Sequence, residues 1–117
     1  MAPDSLALLG ARLRTFAAAR DWQQFNCPKN LAMALTGEAG ELAAEFQWLT
    51  LEQSEAPEPE RLARIQTECA DVLIYLVQLA DRLGFDLIDA ANAKIDRNDA
   101  RYPADRVRGS ARKYDEY

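Results

Sequence analysis

The sequence predicts an all-α fold, a single four-helix bundle-like domain over residues 1–117. Three observations predict it. Apolar residues recur at spacings of three and four along most of the chain, which is the period of one helix face. The helix breakers Pro28, Pro57, Pro59, Gly84 and Pro103 fall between these runs rather than inside them. No segment alternates apolar and polar residues as a half-buried strand does, and no internal repeat is present.

Each helix follows from local signals. Asp4 or Ser5 caps the first, after Pro3, and Leu6, Leu9, Leu13 and Phe16 form its stripe. Pro28 disfavours helix at Cys27, so Trp22 and Phe25 anchor a bent connection, with a core role as the default. The second helix runs from Pro28–Asn30 to about Leu49, with Leu31, Leu35, Leu42, Phe46 and Leu49 as its buried arc. Residues 50–60 read as an acidic, exposed loop with Ser54 as a possible cap. The third helix runs from about Glu60 to Gly84 and is apolar nearly all round at 72–79, the mark of a bundle centre or an interface. The fourth starts near Asp86, buries Leu87, Ile88, Ala91 and Ile95, and ends before Pro103. Residues 104–117 read as a polar, irregular tail.

Two helices carry acids where a solvated face does not put them. At 100° per residue, Glu38, Glu41 and Glu45 share an arc of about 60° beside the apolar stripe. Glu68, Asp71 and Tyr75 repeat the arrangement on the third helix. If Glu38, Glu41, Glu68 and Asp71 converge, each like-charge pair about 6 Å apart costs roughly 3 kcal/mol, and six pairs cost roughly 15–20 kcal/mol. That exceeds the stability of a typical small domain. Such a cluster persists only with protons or cations among the acids, and oxygen-only ligands suit Mg²⁺ or Mn²⁺. The alternative is four acids on separate solvated faces that never meet. Gly37 and Gly40 lie inside the helix, where each costs about 1 kcal/mol against alanine, so close approach of another helix or a ligand accounts for them. Trp48, one turn past Glu45, either closes a pocket or finishes the core.

Composition removes whole classes of chemistry. The chain has no histidine, which excludes Ser-His-Asp and Cys-His catalysis, histidine-ligated zinc and the Glu-x-x-His pairs of di-iron bundles. Cys27 and Cys69 make no disulfide framework, and Cys69 reads as packing inside a helix. A net charge of −5 argues against nucleic acid as partner. No apolar run suits a membrane span or a signal peptide, so a cytoplasmic protein is expected. Seven of the 14 bases lie in residues 94–117, either serving a polyanion or neutralising the acidic middle.

Glu38-x-x-Glu41, 26 intervening residues and then Glu68-x-x-Asp71 resemble the signature of the MazG-like all-α nucleoside triphosphate pyrophosphohydrolases. The resemblance extends through Arg20-Asp21-Trp22, Pro28-Lys29-Asn30-Leu31, Phe46-Gln47-Trp48, Lys94-Ile95-Asp96-x-Asn98, Arg101-Tyr102-Pro103 and Ser110-x-Arg112-Lys113-Tyr114. It points to the dCTP pyrophosphatase branch. It implies hydrolysis of a nucleoside triphosphate to monophosphate and pyrophosphate, with dCTP or a related pyrimidine nucleotide as substrate. It implies Mg²⁺ on Glu38, Glu41, Glu68 and Asp71, with Glu38 or Glu41 orienting the water. Trp22, Trp48 and Tyr75 are then expected around base and sugar, and Lys94 and Asn98 at the phosphates. Dimers or tetramers are implied, with sites where helices of different subunits meet. Relatives that favour dCTP carry histidine where this chain has Leu13 or Asn26, so base preference stays open. Two other classes stay open beside the enzyme: a nucleotide-binding module without turnover, and a structural helical oligomer.

Overall fold

A computed structural model describes residues 5–111 of the chain. Asp4 as a cap, and Arg112, Lys113 and Tyr114, lie outside the described residues. Six helices are present among those described: α1 (Ser5–Ala19), α2 (Pro28–Ala44), α3 (Leu51–Glu55), α4 (Pro59–Leu83), α5 (Leu87–Arg101) and α6 (Ala104–Val107). The described residues contain no strand, as expected for an all-α chain. None of these helices is long and apolar enough to cross a membrane. The chain divides into two compact units, Met1–Gly84 and Phe85–Tyr117, described separately below.

In the first unit α4 is the axis. The Glu45 side chain of α2's C-terminal end pairs with Arg61 and Arg64 near the start of α4, and Glu38 of α2 meets Glu68, so the two helices run antiparallel. On the other side, Gly10 faces Val77 and Arg14 pairs with Asp81, so α1 runs parallel to α4. A Cβ at Gly10 would sit 3.7 Å from Val77 Cγ1, an ordinary packing distance that lets α1 lie close. The core is small: Ala17, Leu31, Ile65, Val77 and Ala80, with Leu31 only 1% exposed.

The helix ends show local chemistry at work. The Trp22 N–H donates to the Ala17 carbonyl at 3.0 Å and the Asp21 N–H to that of Ala18 at 3.2 Å, closing α1 in a Schellman motif. Asp21 occupies its left-handed position at φ 53°, which short polar side chains tolerate. The cap aims Trp22 back along α1. Cys27 is the N-cap of α2, with Pro28 in its first turn. Gly84, at φ 74°, ends α4, its N–H donating to the Ala80 carbonyl at 2.9 Å.

Several expectations need correction. The second helix stops at Ala44, not Leu49. Arg61 Nη1 donates to the Glu45 carbonyl at 2.6 Å, and the Leu49 N–H, which continuous helix would direct to that carbonyl, turns to Phe46 instead at 2.9 Å. Inside the expected 50–60 loop lies α3, started by a capping box. Gln53 N–H donates to Thr50 Oγ1 at 3.1 Å and Thr50 N–H to Gln53 Oε1 at 2.9 Å, so the cap is Thr50, while Ser54 back-bonds within α3. Trp22 and Phe25 are exposed rather than core, and so is Cys69. Trp48 does not finish the core; it is 88% exposed. Beyond their own helix backbone, no described residue comes within 4 Å of a Cβ built at Gly37 or Gly40, so none makes the close approach expected there.

In the second unit, Asp86 caps α5, its side chain accepting from the Asp89 N–H at 2.9 Å. The expected stripe is not buried: Ile88, Ala91 and Ile95 are exposed, Ile95 by 61%. The tail expected to be irregular from residue 104 begins with the short α6.

Candidate functional site

Where α2 and α4 cross, one carboxylate oxygen from each of Glu38, Glu41 and Glu68 lies within 4.8 Å of the others. The antiparallel packing brings them together. Glu38 sits on the edge of α2's buried face one turn from Leu42, and Glu68 lies one turn after the core residue Ile65 on α4. Glu38 Oε2 and Glu68 Oε2 are buried with no hydrogen-bond partner. Buried polar atoms are normally satisfied, so two orphaned oxygens on members of one carboxylate cluster mark a place for a cation.

The electrostatics agree. Burial first, then the Glu41 and Asp71 carboxylates, hold the acid of Glu38 above its usual range. Burial, a hydrogen bond donated to Glu38 and the charge of Glu41 push Glu68 up to about 7. Without a metal the cluster relieves its repulsion by keeping a proton.

The other expected acids divide. Glu45 is outside the cluster, held by Arg61 Nη1 at 3.3 Å and Arg64 Nε at 3.1 Å. Asp71 does not join the three converging carboxylates. It lies a turn beyond Glu68, near enough for its charge to raise Glu38, and it lines a neighbouring cavity.

That cavity, about 410 Å³, lies between α1 and α4. Leu13, Phe16 and Ile74 form an apolar floor, with Trp22 and Tyr75 as aromatic walls. Phe16 fixes Trp22 edge to face, ring centroids 5.8 Å apart, and carries the Arg20 guanidinium 3.7 Å from its own centroid. Arg82 Nη1 donates to the Gln23 carbonyl at 3.0 Å, and Asn30 Nδ2 to that of Phe25 at 2.9 Å, pinning the turn that holds Trp22.

The cavity brings Trp22, Tyr75 and Asp71 together but not Trp48. Lys94 and Asn98 stand one turn apart on α5, in the second unit. Asn26, singled out in the sequence for base preference, also lines the cavity, as do Arg12 and Gln78, which sequence reasoning missed. Both left a readable signal. Gln78 falls within the arc of Asp71, Ile74 and Tyr75, and Arg12 borders that of Leu9, Leu13 and Phe16, about 40° beyond Phe16, polar residues on or beside stripes otherwise committed to packing or chemistry. A somewhat larger cavity of about 490 Å³, bordered by Arg14, Gln23, Asp81 and Arg82, holds none of the expected site residues.

Residues 34–117 match the MazG-like family. The chain is 52% identical over 104 residues to dCTP pyrophosphatase 1 of Homo sapiens, a match covering 86% of this chain and 61% of that protein. It is 52% identical over 101 residues to dCTP pyrophosphatase 1 of Bos taurus, covering 85% and 60%. The chain thus spans about 60% of the length of these curated relatives. Among solved structures it resembles a pyrophosphatase from Archaeoglobus fulgidus, with TM-score 0.76 and 34% identity over 88% of this chain and 96% of that one.

Proposed function

The chain belongs to the MazG-like family, and on that premise we propose that it hydrolyses a deoxynucleoside triphosphate, dCTP or a related pyrimidine nucleotide, to the monophosphate and pyrophosphate. One observation carries the reading: a three-carboxylate cluster with two orphaned oxygens stands one helical turn from a nucleoside-sized cavity walled by Trp22 and Tyr75.

Glu38, Glu41 and Glu68 would hold Mg²⁺ or Mn²⁺, with Asp71 alongside. When bound, the ion supplies Lewis acidity and neutralises charge on the phosphoryl oxygens. The chain's own residues do the rest. Trp22 and Tyr75 wall the base and sugar, contacts worth about 1–3 kcal/mol per stacked base. The carboxylate of Glu38 or Glu41 accepts a proton from a water as its oxygen bonds to the α-phosphorus. The bond from the α-phosphorus to the bridging oxygen breaks, and pyrophosphate leaves with the electron pair. Lys94 and Asn98 are phosphate-holding candidates by chemistry, an ammonium point charge and a neutral amide donor. Catalysis in this scheme is positioning and charge neutralisation.

The test is incubation of the chain with each deoxynucleoside triphosphate and Mg²⁺, reading pyrophosphate release. Cleavage with dCTP among the better substrates is expected. Tight binding without product would instead identify a sensor module, and neither would identify a scaffold.

A homo-dimer or homo-tetramer forms part of the same reading. On α2, Met33, Gly37, Gly40 and Ala44 share an arc of about 60° opposite the buried face, and all four are exposed. Close by in sequence, Trp48 and Leu51 are 88% and 87% exposed. Scattered exposed apolar residues are ordinary, but large ones beside a glycine-lined helix face fit a close partner helix. Light scattering on the full chain is expected to give a multiple of 13.1 kDa, and Trp48→Asp is expected to shift it towards the single-chain mass. A wild-type mass of one chain at micromolar concentration would remove the oligomer from the reading.

A further inference from the structure

We propose that Arg12 reads the nucleobase, selecting bases that present two adjacent hydrogen-bond acceptors, cytosine among the pyrimidines. The inference rests on the reading of the cavity as the base site. Arg12 lines that cavity with Asn26, Tyr75 and Gln78 and has no ion-pair or hydrogen-bond partner among the described residues. The other arginines of this unit are committed elsewhere: Arg14 to Asp81, Arg20 to Phe16, Arg61 and Arg64 to Glu45, and Arg82 to Gln23. Arg12 is the exception, and it faces the space rather than an acid.

Its level along the axis assigns it to base rather than phosphate. Because α1 runs parallel to α4, with Gly10 opposite Val77 and Arg14 opposite Asp81, Arg12 stands level with Gln78 and Leu79. Glu68 to Gln78 spans ten residues of helix, about 15 Å. Along α4 the order is therefore Glu68 at the cluster, Asp71 between cluster and cavity, Tyr75 on the wall, and Gln78 at the far end with Arg12 beside it. A nucleotide with its triphosphate at the acids places sugar and then base along that line. A guanidinium at the far end meets the base.

Its chemistry then sets the preference. Guanidinium has donors only, in a fixed fork, and a two-pronged contact needs two neighbouring acceptors. Cytosine offers O2 and N3, and guanine offers O6 and N7. Thymine places N3–H between its two carbonyls, and adenine sets an amino group beside each edge nitrogen, so neither satisfies both prongs. The amides of Asn26 and Gln78 supply both a donor and an acceptor, and so can take the remaining amino group. This gives the cavity a cytosine-reading edge without histidine.

The experiment compares wild type, Arg12→Gln and Arg12→Lys on dCTP and dTTP with Mg²⁺, by steady-state kinetics and by calorimetric binding. Wild type should favour dCTP. Arg12→Gln should lower the dCTP-to-dTTP ratio about tenfold or more, mainly through KM, with dTTP little changed. Arg12→Lys should not restore the ratio, because it keeps the charge and loses the fork. Equal losses on both nucleotides with rescue by lysine would make Arg12 a phosphate attractant and overturn the proposal, as would an unchanged ratio. If wild type discriminates in binding but releases no pyrophosphate, the hydrolase reading falls and this one stands. If it neither binds nor cleaves, both fall.

Discussion

Glu41→Gln is expected to reduce pyrophosphate release by about a hundredfold or more while leaving the helical content intact. Glu41 contributes one of three carboxylate oxygens gathered within 4.8 Å, and it is the one of the three residues that is exposed, so its side chain supports little packing. The substitution keeps shape and removes one charge. A hard divalent ion loses an anionic ligand, and the phosphoryl groups lose the charge neutralisation that ion supplies. Stability should move the other way in the absence of metal, because Glu41 is among the charges that raise both Glu38 and Glu68. A metal-free melting temperature equal to or above wild type, with activity near background, is the expected pair of results. Full activity would remove Glu41 from the site. Glu45→Gln is the matched control on the same helix. Its carboxylate serves Arg61 and Arg64, not the cluster, so it should lose modest stability and keep turnover.

What could be read from the sequence, and what could not, divides along a physical line. Helices α2, α4 and α5 announce their starts through Pro28, Pro59 and Asp86, and α4 its end through Gly84, because those residues act on their own backbone. The convergence of Glu38, Glu41 and Glu68 was also legible, since each borders an apolar stripe and the stripes must meet. Features decided by a distant group were not. The early end of α2 depends on Arg61 reaching the Glu45 carbonyl from another helix. Asp71, a turn past Glu68, stands outside the three-acid cluster and lines the cavity instead, which depends on how α1 and α2 pack on α4. Trp48 fits a core or pocket position one turn past Glu45 only if the helix continues through it, and the chain leaves the helix at Ala44. The capping box of Thr50 and Gln53 was in plain view, but an acidic, proline-flanked segment outweighed it.

The second large effect concerns pH and metal together. In the unfolded chain Glu68 loses its proton near 4.5, and in the folded, metal-free chain at about 7. Between those values the native state binds the extra proton, so this stabilising contribution is complete below about 4.5 and is lost as pH rises through 7. Glu38, also raised, acts in the same direction. Metal-free protein should therefore melt at a lower temperature at pH 8 than at pH 5.5. Divalent ions reverse the slope. They require the carboxylates ionised, so binding releases protons and strengthens as pH rises. At a free Mg²⁺ concentration 100 times its dissociation constant, the gain is about 2.7 kcal/mol, several degrees for a chain of this size. Melting curves with and without millimolar Mg²⁺ should thus diverge most at pH 8. Other carboxylates also titrate in acid, and Glu68→Gln separates them: it should lose the decline between pH 5.5 and 8 together with most of the Mg²⁺ response. A metal response that survives in Glu68→Gln, or is absent in wild type, would mean that the gathered carboxylates are not where the ion sits.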